Sequence, residues 1–156
     1  MTERISVTRA LDAPRELVWR VVTGREHFAE WFGTDAVEVP LDPLVWEPSV
    51  GARWTAQMRL PDASIKHWLG EFVAIEPPER FVFSLTDTPD EPDVLAPVAI
   101  ELAEVEGDEG RPRTRLSLTQ PTPGWPEEGR AALVGGYNSF FDTMARIIER
   151  ARRQGV

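Results

Sequence analysis

PEEGRAALVGGYNSFFDTMARIIER, residues 126–150, is the stretch on which the fold turns. Within it Leu133, Tyr137, Phe140, Phe141, Met144, Ile147 and Ile148 recur at helical spacing, which places one apolar stripe on a long helix. Pro126, Glu127 and Glu128 open that helix, because Pro suits the first helical position and acids suit the positive end of the dipole. Arg150, Arg152 and Arg153 complement its negative end, and Asp142 and Arg146 stand four apart, close enough to pair. Gly135 and Gly136 each cost a helix roughly 1 kcal/mol relative to Ala. Such a pair is tolerable where the backbone approaches something closely, with close packing on the sheet favoured over a ligand.

Upstream of the helix the pattern changes period. Residues 3–11 alternate as a strand, with Ile5, Val7 and Arg9 on one face. Pro14 and Glu16 begin a short helix carrying Leu17, Val18, Val21 and Val22. Thr23 and Glu26 form a capping-box pattern for a second short helix carrying Phe28, Trp31 and Phe32, and Gly33 stops it. Prolines 40, 43 and 48 around Trp46 forbid a central strand, so 36–50 reads as an irregular cover with one short strand at 36–39. Strand-like runs follow at 52–60, 64–76, 80–86, 94–105 and 113–120, with a polar loop at 87–93 and Gly70 marking a bend or bulge. Clean alternation means one wet and one buried face, hence an antiparallel meander. The expected class is α+β: a curled antiparallel sheet wrapped around the long C-terminal helix, with two short helices after the first strand. Residues 1–156 read as a single domain, as their length suggests.

Composition narrows the function. The net charge is −9, and nine acids with no Lys or Arg fall in 87–109. Nucleic acid and anionic membranes are disfavoured, since both ask for a basic surface. The acids read first as solvated loops and second as a partner surface. With no Cys, there is no disulfide framework or thiolate site, and two His residues cannot build a three-His zinc centre. No metal or cofactor is expected. No apolar run is long enough to span a bilayer, and Met1–Val7 has no signal core, so a cytoplasmic location is expected.

The candidate site residues are mainly aromatic. Trp31, Trp46, Trp54 and Trp68 lie in segments that border the space beneath the long helix, either as ordinary core or as the wall of an apolar pocket. Phe83, Phe141 and Met144 complete the expected lining. Tyr137 and Asn138 are the polar groups of the helix expected to face that space, bonding either a sheet side chain or a ligand carbonyl. Two weak catalytic candidates lie on the long strand. His67 acts as a base only if it, rather than Trp68, faces inward, and Glu71 moves protons only if Gly70 bulges the strand and turns that carboxylate inside. No phosphate loop, nucleophile elbow or metal cluster motif appears.

Several strings, taken together in order, resemble a known family. They are Ala13-Pro14 with Val18-Trp19, Trp31-Phe32-Gly33, Val50-Gly51 before Arg53-Trp54, Gly70-Glu71, Glu76-Pro77-Pro78-Glu79-Arg80-Phe81, and Gly136-Tyr137 leading to Phe141, Met144 and Ile148. This set resembles the SRPBCC superfamily, also called START-like or birch-pollen-allergen-like, in the branch named for the activator of the heat-shock chaperone ATPase. The chain departs from the branch at Val50-Gly51-Ala52, where Gly-Gly is usual, and at Gly136-Tyr137, where Gly-Trp is usual. The resemblance implies a helix-grip fold with a cavity between the long helix and the sheet. It admits three functions. The first is a non-catalytic binder of a small hydrophobic or aromatic molecule. The second is an interaction module for a chaperone or other protein; under any of the three the chain is expected as a monomer or homodimer. The third is a cyclase- or hydrolase-like enzyme, which ranks last because the sequence supplies no nucleophile.

Overall fold

A computed structural model describes residues 4–88, 90 and 96–154. Its elements are β1 (Arg4–Leu11), α1 (Arg15–Thr23), α2 (Arg25–Gly33), β2 (Arg53–Arg59), β3 (Ile65–Glu76), β4 (Arg80–Leu85), β5 (Ala96–Glu106), β6 (Pro112–Pro121) and α3 (Glu127–Arg153). The six strands form one antiparallel sheet in the order β1-β6-β5-β4-β3-β2. The two short helices follow the first strand, and α3 closes over the sheet's inner face. The expected loop at 87–93 and the first two positions of the run at 94–105 fall partly at 89 and 91–95, outside the described residues.

Alternation decides which residues point inward. Ile5 and Val7 on β1, Trp54, Ala56 and Met58 on β2, Phe81 and Phe83 on β4, Val98, Ile100 and Leu102 on β5, and Leu116 and Leu118 on β6 are all buried. They meet Tyr137, Phe141, Met144, Ile147 and Ile148 of α3 in one core cluster. The C-terminal half of α3 is also tied down by polar contacts. Arg150 grips Glu30 with both guanidinium nitrogens, at 2.9 and 2.7 Å. Arg152 reaches Asp12 at 2.6 Å, and Arg9 on β1 donates to Asp142 at 2.9 Å.

Four local expectations are corrected. Thr23 does not cap α2: its hydroxyl donates back to the Trp19 carbonyl at 2.8 Å, and Gly24 occupies the cap position with no side-chain bond. The segment 36–39 is not a strand. It makes a single bridge, Glu38 to Arg59, because Pro40 and Pro43 prevent the ladder from propagating. Asp142 and Arg146 do not pair with each other, since each finds a partner on another element, Arg9 and Asp35 respectively.

The fourth correction concerns Gly70. The register shift in β3 lies between Phe72 and Ala74, not at Gly70. Gly70 instead provides close approach. A Cβ there would overlap the Ser84 carbonyl oxygen and the Trp54 indole. That space lets the Trp54 Nε1–H donate to the Ser84 carbonyl at 3.0 Å, while the Glu71 backbone N–H donates to Ser84 Oγ at 3.1 Å. Side-chain groups thus take over ladder hydrogen bonds between β3 and β4, and Glu71 remains on the outer face opposite Arg53.

Candidate functional site

The space between α3 and the sheet is almost filled. A void of about 10 Å³ remains. Trp31 and Phe32 of α2 form one side of it; Phe83 and Leu85 of β4, Ile100 of β5 and Leu118 of β6 form the floor; Tyr137, Phe140, Phe141 and Met144 of α3 form the roof. That is close to the minimum room for one water molecule, against roughly 300–1,000 Å³ for a typical ligand pocket. The open hollow expected from the sequence is therefore closed in this state. The reason is Phe140. Its ring lies 5.5 Å from Trp31, 5.4 Å from Phe32 and 5.7 Å from Tyr137, so it plugs the gap that α2 and α3 would otherwise leave.

The walls carry no formal charge. Their polar side-chain groups are both bonded within the protein: the Trp31 Nε1–H donates to the Val21 carbonyl, and the Tyr137 hydroxyl donates to Oε1 of Gln120, which is itself buried on β6. Burial pushes the Tyr137 phenol well above its ordinary pKa of 10.0, because a phenolate would lose its water there and gain no cation. Two of its lining side chains, Leu85 and Phe140, are only half-buried and so are also partly exposed to solvent.

Trp31, Phe83, Tyr137, Phe141 and Met144 are thus brought around one void, whereas the other candidates are not. Trp46 and Trp54 are sealed in an aromatic cluster: Trp46 stacks on Phe28 at 3.7 Å between centroids, and Trp54 lies 5.4 Å from Trp46. Trp31, Trp46 and Trp54 donate their indole N–H groups to the carbonyls of Val21, Thr23 and Ser84. Trp68 faces inward at the rim, edge-on to Phe32 at 5.1 Å. Its covered Nε1–H finds no acceptor among the described residues, which costs about 1–3 kcal/mol. Asn138 turns to β1, where its Oδ1 accepts from Arg9 at 3.2 Å.

His67 and Glu71 sit opposite Gln57 and Arg53 on the outer face, because residues directly across a ladder share a face and Trp54 and Ala56 hold the inner one. The catalytic reading therefore loses its inward acid–base groups. Gly135 and Gly136 are also corrected: both are exposed, and a Cβ at either would meet nothing within 4 Å, so close packing does not explain them.

The sequence reading missed Phe32, Leu85, Ile100, Leu118 and Phe140 as lining, although strand parity and helical spacing place each on the inner face. It also missed Gln120. The signal was available, since Gln120 continues the inward parity of Thr114, Leu116 and Leu118. A lone amide at the end of a buried row calls for a buried partner.

A family model described as activator of Hsp90 ATPase homolog 1-like protein matches residues 12–149. Among solved structures, protein NE0264 from Nitrosomonas europaea is similar with a TM-score of 0.77 at 17% identity, covering 97% of this chain and 97% of that one. Protein Ms6760 from Mycobacterium smegmatis gives 0.75 at 17% identity, covering 96% and 93%. The AHSA1-like protein from Aeromonas hydrophila gives 0.67 at 20% identity, covering 95% and 93%. No curated protein matches the chain.

Proposed function

The chain belongs to the family of activator of Hsp90 ATPase homolog 1-like proteins, and from that premise we propose that it binds a small, uncharged hydrophobic or aromatic molecule between α3 and the inner face of the sheet. The observation that carries this reading is the character of the void. Its walls are apolar and uncharged, and two of the side chains that close it, Leu85 and Phe140, are only half-buried. Rotation of Phe140 out of its seat enlarges the space without breaking a backbone hydrogen bond. An ionised ligand finds no counter-charge on these walls, and the desolvation cost then excludes it. Tyr137 and Gln120 offer the ligand one exchangeable hydrogen bond.

The test is titration with N-phenylnaphthylamine, a neutral aromatic dye, followed by dye emission and tryptophan quenching. One saturable site is expected, because Trp31 lines the void. Leu118→Phe, which fills the void, abolishes the response, while Thr8→Val on the outer face of β1 preserves it. No saturable response, or a response that survives the filling substitution in a folded protein, contradicts the proposal.

The closed state of the interior favours a second reading, a protein-interaction module acting through its outer surface. The exposed acids Glu101, Glu104, Glu106, Asp108 and Glu109 supply the distinctive face for it. Reversing those charges then weakens partner capture and leaves dye binding intact. Under the first reading the filling substitution does the opposite.

A further inference from the structure

We infer that α3 bends at Gly135–Gly136 and that its N-terminal segment, Glu127–Val134, is the gate to the space beneath it. This inference rests on the proposed ligand site and adds the way in. Four observations carry it.

First, α3 is anchored over only part of its length. None of the ten residues from Glu127 to Gly136 is buried, and the buried series begins at Tyr137. Second, among the described residues the side-chain bonds from α3 to the sheet, the short helices and their loops come from Tyr137 onward: Tyr137 to Gln120, Asn138 and Asp142 to Arg9, Arg146 to Asp35, Arg150 to Glu30, and Arg152 to Asp12. The segment's own side-chain bond, Arg130 to the Trp125 carbonyl at 3.2 Å, runs back to the linker before it and not to the sheet.

Third, the boundary carries two consecutive glycines that packing does not require, since a Cβ at either meets nothing within 4 Å. Glycine frees the backbone dihedrals that a bend must change. Immediately beyond it, the Ser139 hydroxyl donates to the Gly135 carbonyl at 3.2 Å and the Thr143 hydroxyl to the Ser139 carbonyl at 3.0 Å. Such bonds to the carbonyl four residues back favour bending. Fourth, the bend lies beside the void: Tyr137, the first residue past the glycines, and Phe140, one turn on, are both in its roof. Leu133 and Val134, half-buried against the core, lift with the segment. The moving piece is thus poorly anchored, softly jointed and positioned to uncover Phe140.

The test compares the full-length protein with the Gly135→Ala/Gly136→Ala double variant, which stiffens the joint without touching the void. Amide hydrogen exchange is read over 127–136 and 141–148, and the association rate of N-phenylnaphthylamine is read by stopped flow. In the wild type the first stretch exchanges at least about tenfold faster than the second. The two alanines slow exchange in the first stretch by roughly 25-fold, from their combined helix propensity, and slow dye association, while 141–148, which exchanges through global unfolding, slows by no more than the gain in global stability read by urea denaturation. Equal protection along α3 in the wild type, or alanines that change neither exchange nor association, overturns the hinge and leaves the binding proposal standing on its own titration. Expected exchange with no saturable dye binding removes the binding proposal and the gate with it.

Discussion

Tyr137 is the chain's single tyrosine, and this makes its burial measurable by itself. Its hydroxyl donates to Gln120 within the apolar layer, and burial raises its pKa above the ordinary value of 10.0. The unfolded chain ionises its phenol near that ordinary value while the folded chain does not. The unfolded state therefore holds fewer protons above pH 10, and unfolding becomes easier as pH rises. The contribution is fully present below about pH 10 and falls by about 1.4 kcal/mol for each further pH unit until the folded phenol ionises.

Tyr137→Phe isolates this effect. At neutral pH it leaves the Gln120 oxygen without its donor and costs about 1–2 kcal/mol. Above pH 10 the variant escapes the proton penalty, so the stability curves of the two proteins meet near about pH 11, where one unit of penalty equals the lost bond. Urea unfolding at stepped pH supplies the curves, and the difference between proteins cancels every other titrating group. Ultraviolet tyrosinate absorbance of the native protein is the companion reading. An absorbance step at the ordinary phenol midpoint while the protein stays folded, or parallel stability curves, refutes the assignment of Tyr137 to a closed, uncharged interior.

Other outcomes follow from the same contacts. Gly70→Ala drives a methyl into the Ser84 carbonyl and the Trp54 ring, so chemical denaturation records a loss of about 3 kcal/mol or more; a loss under about 1 kcal/mol shows that β3 and β4 separate easily there. Gly136→Ala, with open space around it, moves the other way and raises stability by up to about 1 kcal/mol. The Glu30 carboxyl is held below its ordinary 4.5 chiefly by the hydrogen bond from Arg150, with the guanidinium charge adding to it and partial burial opposing. Its contribution is present above that value and is lost as pH falls through the depressed one. Glu30→Gln therefore costs about 0.5–1 kcal/mol at neutral pH, a figure limited by solvent screening of a half-exposed pair, and nothing once both proteins are below the depressed pKa. A cost that persists undiminished in acid assigns the effect to packing.

The topology was legible because each element carried a periodic signal: strict alternation for the strands, and the Leu133-to-Ile148 stripe for α3. What misled was local chemistry that tertiary contacts override. Thr23 has the spacing of a cap, yet its hydroxyl finds the Trp19 carbonyl of the preceding helix, which is nearer. Gly70 suggested a bulge, and its role emerged only once Trp54 was seen reaching across to Ser84, a contact between residues thirty apart in the chain.

The site was harder. Parity identifies inward residues but cannot say whether aromatics interlock, and that depends on ring angles such as the stack of Phe28 on Trp46. Trp46 and Trp54 are therefore core although their composition suits a pocket wall. Phe140 closes the void because it sits between the two helices, a relation that α3's own sequence does not contain. The glycine pair was visible as a cost, but its open surroundings were not.

The most direct test of a closed but openable interior is the methyl resonance of Met144, one of only three methionines in the chain, during titration with naphthalene. An openable interior gives a saturable shift of that methyl, accompanied by Tyr137 and Phe140 ring signals and absent in Leu118→Phe. A Met144 methyl that stays still while naphthalene shifts outer-face signals near His67 and Gln57 contradicts it.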